Sequence, residues 1–135
     1  MRVTGKCHCG QIAYEAEVDP ATAAICHCTD CQVLSGSPYR TVAPTKQLTF
    51  TKGTPKIYIK TTADSGRPRA QAFCGDCGTP LFASAPDPGP EGPFMLRTGA
   101  IQERVQLQPR KAIWCESAIP WAEDIGGVPK IAKQS

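Results

Sequence analysis

Apolar residues in this chain recur most clearly at every second position. Ile12, Tyr14, Ala16 and Val18 alternate with Gln11, Glu15 and Glu17, the mark of a strand with one buried face and one wet face. Leu48 and Phe50 alternate with threonines, and Ile57-Tyr58-Ile59 lies between lysines. Ala72-Phe73, Leu81-Phe82, Phe94-Met95-Leu96 and Ile113-Trp114 are further short apolar runs, most of them bounded by glycine, proline or polar clusters. That punctuation predicts a sheet-built domain. Sustained helical periodicity is missing. At most one or two helical turns follow Thr29, read as an N-cap, through Asp30 to Leu34 before Ser35-Gly36 ends them.

The stretch Pro86 to Pro93 holds four prolines that cannot donate ladder hydrogen bonds, so 86–93 is expected to be an exposed, poorly ordered loop. Apolar runs continue on both sides of it, which makes it an insertion within one domain spanning 1–135 rather than a boundary. No apolar run approaches the roughly 18 residues that span a bilayer, and Met1 to Lys6 does not resemble a signal peptide. The expectation is a cytoplasmic protein with no membrane partner. In that compartment cysteine clusters bind metal more often than they form disulfides.

Cysteine changes the picture most. Seven of the eight fall into three tight groups: Cys7-His8-Cys9, Cys26-His27-Cys28-Thr29-Asp30-Cys31 and Cys74-Gly75-Asp76-Cys77. Cys9 and Cys77 are each followed by glycine, Gly10 and Gly78, as suits a metal knuckle whose chain turns sharply after the second ligand. The middle group has no such glycine. The first and third groups therefore pair as a closed four-thiolate structural site, and the middle group stands apart with three. Two disulfides, or iron in place of zinc, are the alternatives at the four-cysteine site.

Three thiolates leave one coordination position for solvent or substrate. His27, His8, Asp30 and Cys115 are the side chains that would otherwise fill it, although Cys115 in its apolar run reads as a packed core residue. A centre of three thiolates and Zn²⁺ is a weak generator of hydroxide, and it suits a substrate thiol bound as thiolate. The rival reading is a second structural site closed by a distant ligand. Ionising seven clustered thiols and adding two zinc ions takes the formal charge of +3 to zero, and the basic residues are scattered, so nucleic acid is not an expected partner.

These groups, with Ser35-Gly36, with Gly78-Thr79-Pro80-Leu81-Phe82 after the third, and with the late Ile113-Trp114 and Ser117-Ala118-Ile119-Pro120-Trp121, resemble the glutathione-dependent formaldehyde-activating enzyme family, which includes the centromere protein V domains. The resemblance implies an all-β, tent-like fold. It implies a structural zinc on Cys7, Cys9, Cys74 and Cys77 and a catalytic zinc on Cys26, Cys28 and Cys31, where the thiol of glutathione binds. It also implies a carbon–sulfur lyase joining a small-molecule thiol and an aldehyde, as in S-(hydroxymethyl)glutathione synthesis. This chain is shorter than the namesake enzymes and carries Ala112 where many members have a histidine. Apart from the resemblance, Asp30 and Glu116 are the carboxylates near enough in sequence to move a proton, and neither is assigned that role. Arg40, Arg67, Arg69 and Arg97 are candidate partners for the carboxylates of glutathione, each read first as an ordinary surface residue. The alternative is a non-enzymatic zinc-binding interaction module of the same fold, with Trp114 and Trp121 as exposed anchors.

Overall fold

The computed structural model describes residues 1–134. In chain order its strands are β1 (Arg2–Lys6), β2 (Ala13–Glu17), β3 (Ala24–Cys26), β4 (Arg40–Thr45), β5 (Gln47–Lys52), β6 (Lys56–Lys60), β7 (Arg69–Phe73), β8 (Pro80–Ser84), β9 (Phe94–Arg97) and β10 (Lys111–Ile113). One α-helix, α1 (Thr29–Ser35), and several single 3₁₀ turns complete the described residues. The all-β class predicted from the alternation is what forms.

Two sheets pack face to face. The small one has the order β1-β2-β5, and the large one runs β10-β3-β4-β9-β8-β7-β6. Every pairing is antiparallel except β10 with β3. Ile12, Tyr14, Ala16 and Val18 are all buried, as the two-residue period requires. Tyr14 lies opposite Gly5, and only glycine fits there, because a Cβ at position 5 would lie 1.9 Å from the Tyr14 ring. From the large sheet a single register row, Ala43, Leu96, Phe82 and Ala72, meets the small sheet in the core. Phe50 bridges the two layers, 5.8 Å from Tyr14 and 6.2 Å from Phe82 between ring centroids.

The period of two also decides what the other face of the large sheet carries. Successive side chains leave opposite faces, so the outer face presents Val42 beside Arg97, Met95 beside Ala83, and Gln71 beside Tyr58. β6 ends that sheet, and its Ile57, Tyr58 and Ile59 stay about half exposed because no strand lies beyond them. Cys115, expected in the core, is exposed instead. The chain turns outward just before it, with Trp114 in the left-handed region at φ 57°.

Candidate metal centres and cleft

The first and third cysteine groups occupy the turns of two hairpins, β1–β2 and β7–β8, and the turns match. Cys7 N–H donates to the Ile12 carbonyl and Cys74 N–H to the Thr79 carbonyl, while Gly10 and Gly78 donate back to Cys7 and Cys74. Gly10 and Gly78 have φ of 82° and 79°, the left-handed turn expected of a knuckle. The two hairpins are stitched by His8 N–H, which donates to Thr79 Oγ1 at 3.0 Å. Cys7, Cys9, Cys74 and Cys77 thereby bring all four sulfurs within 4.8 Å of one another.

Their spacing tests the fit to an ion. Zn–S bonds of about 2.3 Å in a tetrahedron set sulfurs about 3.8 Å apart. Cys7–Cys9 measures 3.7 Å and Cys9–Cys74 3.8 Å. No disulfide forms among the described residues. Crowding without a cation splits the thiols. The Thr79 hydroxyl and nearby backbone N–H groups pull Cys77 down to about 5. The Gln11 N–H favours the Cys9 thiolate, but burial and the sulfurs of Cys77, Cys7 and Cys74 push that thiol up to about 12. A dication removes this conflict, since it lets all four ionise together.

The middle group is positioned by β3 and by the start of α1. Cys28, not Thr29, is the helix N-cap: its Sγ accepts from Cys31 N–H at 3.2 Å. Gly36, in the left-handed conformation, closes the other end. Cys26, Cys28 and Cys31 converge within 4.8 Å, and no histidine, carboxylate or fourth cysteine joins them among the described residues. A hydrogen bond from Cys31, with help from Cys28 and the charge of Arg97, outweighs burial and pulls Cys26 down to about 5. Cys31 is pushed up in return by Cys26 and by burial. The soft, crowded donor set fits zinc here too.

None of the side chains considered for the fourth position fills it, and Cys115 is exposed outside the cluster. The His27 ring is buried away from the sulfurs, edge-on to Tyr39, with Nε2 3.8 Å from the Glu123 carboxylate. His8 is exposed beside the four-sulfur site. Asp30 accepts from Lys60 Nζ at 2.9 Å and Thr62 Oγ1 at 2.7 Å, and these bonds hold its carboxyl below the ordinary range. It is a fixed carboxylate rather than a proton donor.

The three sulfurs open onto a cleft of about 330 Å³, within the size range of small-molecule sites. Its floor is the outer face of the large sheet, with Val42, Gln71 and Arg97. One wall is the segment from Lys60 to Ser65, and the other is Ile113, Trp114 and Ser117. Gln32 fixes that second wall to the ligand loop, because its Nε2 donates to both the His27 and the Ser117 carbonyl. Arg69 lines the cleft and has no carboxylate partner among the described residues. Arg40, Arg67 and Glu116 do not line it.

A family described as glutathione-dependent formaldehyde-activating enzyme matches residues 2–117. No curated protein matches the chain. A crystal structure of a Rhodobacter sphaeroides protein from structural genomics is similar in fold. It has a TM-score of 0.59 at 19% identity, covering 81% of this chain and 98% of that one. No helix among the described residues is long and apolar enough to cross a membrane.

Proposed function

We propose that this chain, which belongs to the glutathione-dependent formaldehyde-activating enzyme family, is a carbon–sulfur lyase that makes and breaks the adduct of a small thiol and an aldehyde. The observation that carries the reading is the three-sulfur cluster facing a cleft, with no fourth side chain among the described residues to close it. Cys7, Cys9, Cys74 and Cys77 hold a structural zinc in this account, and Cys26, Cys28 and Cys31 hold a catalytic one. When bound there, zinc supplies a soft coordination position for the substrate sulfur and lowers the pKa of its thiol.

In the cleavage direction the carbon–sulfur bond of the hemithioacetal breaks. The sulfur keeps the electron pair as thiolate, the hydroxyl oxygen becomes the carbonyl, and its proton passes to solvent. The chain's residues mainly orient and enclose. Arg69 offers its guanidinium, unpaired among the described residues, to a substrate carboxylate such as those of glutathione. Trp114 and Ile113 cover the apolar part of the adduct and limit water access. Asp30 fixes Lys60 and Thr62 at the rim. The cytoplasm, where millimolar thiols are kept reduced, is the compartment this chemistry suits.

Exchange NMR with ¹³C-formaldehyde and glutathione tests the proposal. The zinc-loaded protein should accelerate interconversion of free and adduct formaldehyde, and Cys28→Ser should abolish the effect while Cys115→Ser keeps it. Zinc-loaded protein that accelerates exchange with neither glutathione nor other small thiols overturns the lyase and leaves the zinc interaction module.

A further inference from the structure

Arginine is seldom buried without a carboxylate partner, yet two lie on the face of the large sheet that carries Cys26. Arg40 is 6% exposed and Arg97 8%. Arg40 stands opposite Cys26 in the β3–β4 ladder, and Arg97 stands opposite Val42, two residues along β4 from Arg40. Directly opposed residues share a face, so Cys26, Arg40, Val42 and Arg97 all leave the sheet on the cleft side. Neither arginine has an ion-pair partner among the described residues. Arg97 Nη2 donates to Gln71 Oε1 at 2.8 Å. Arg97 Nε and Arg40 Nε and Nη2 are buried with no acceptor among the described residues.

The negative charge that reaches both guanidinium groups is that of the sulfurs. Burial weakens the Arg40 cation, and Cys31, Cys28 and Cys26 oppose that loss. Burial and the neighbouring Arg40 act against Arg97 in the same way, with the same three sulfurs restoring it. A guanidinium keeps its charge in such surroundings where an ammonium gives it up.

We propose that Arg40 and Arg97 are positioning residues that make the three-sulfur centre accept an anionic sulfur ligand. This rests on reading the cluster as an open metal site. Three thiolates around a dication carry one negative charge, and an incoming thiolate makes two. Placing that charge beside a half-buried cleft is costly unless fixed cations lie nearby. The two arginines bring the local total to zero. Arg97 lines the cleft, whereas Arg40 does not and acts through space alone.

The test uses full-length cobalt-loaded protein and two probes, mercaptoethanol, which binds as an anion, and imidazole, which binds neutral. Arg40→Gln and Arg97→Gln should each weaken mercaptoethanol at least about tenfold and leave imidazole within about twofold, with two metals still bound per chain. Equal loss of both probes, or no loss of either, overturns the proposal. Wild-type protein that binds no thiol sinks the open-site reading and the arginine proposal together. Should neither variant fold, the wild-type protein still decides: thiocyanate in large excess should displace mercaptoethanol, and failure to do so refutes the anion preference.

Discussion

Stripping metal from the two clusters should have unequal consequences. The four-sulfur site joins hairpins 65 positions apart in sequence and lies at the turns of both sheets. Closing a loop of that length is worth about 4 kcal/mol in chain entropy, and structural zinc contributes on the order of 10 kcal/mol of apparent binding energy. Against a total stability of about 5–15 kcal/mol for a domain, losing that ion is ruinous. The three-sulfur site spans only Cys26 to Cys31, so its ion closes no long loop, and the β3–β4 ladder and the turns of α1 hold the segment without it. The assay is a chelator titration of zinc-loaded protein, following released zinc and far-UV circular dichroism together. The first equivalent should leave with the sheet signal intact, and the second should leave with cooperative unfolding. Cys28→Ser should retain one zinc and fold; Cys74→Ser should lose at least about 4 kcal/mol. A Cys74→Ser protein that melts within a few degrees of wild type refutes the reasoning.

Other outcomes follow from single residues. Tyr14→Phe removes a buried hydroxyl that has no partner among the described residues and keeps the ring against Phe50, so urea denaturation should show a gain of about 1 kcal/mol; a loss of that size refutes the orphaned hydroxyl. Trp114→Gly relieves a left-handed backbone worth about 1 kcal/mol while deleting a cleft wall, so melting temperature should hold or rise as substrate affinity falls. With both metals bound, iodoacetamide should label Cys115 alone, and denaturation with chelator should release all eight thiols. Labelling at Cys28 in the native zinc protein contradicts the ligand assignment.

What could be read in advance, and what could not, divides along a physical line. Ile12 to Val18 was legible because one buried face imposes a period of two that a single strand displays by itself. The knuckles were legible because Gly10 and Gly78 follow their cysteines directly, a local signal. Register between distant strands leaves no such trace. Nothing in the residues around Arg40 announces that it faces Cys26, or that Arg97 lies on the same side through Val42, and arginine is usually a surface residue. Ile113-Trp114 has the composition of a core strand, yet Cys115 is exposed rather than packed because β10 is a short edge strand whose chain turns away at Trp114. The cap of α1 moved from Thr29 to Cys28 because a sulfur can take the acceptor's place, which helix-start rules built on oxygen do not anticipate.

The parallel pairing of β10 with β3 sets an order of assembly. During synthesis the three sulfurs leave the ribosome some eighty residues before Ile113 and Trp114 arrive to flank them. Under the proposed function, a nascent chain loads its ion early but has no enclosed space for an aldehyde adduct until nearly all of the polypeptide has been made. The substrate then meets a finished pocket rather than a half-built one.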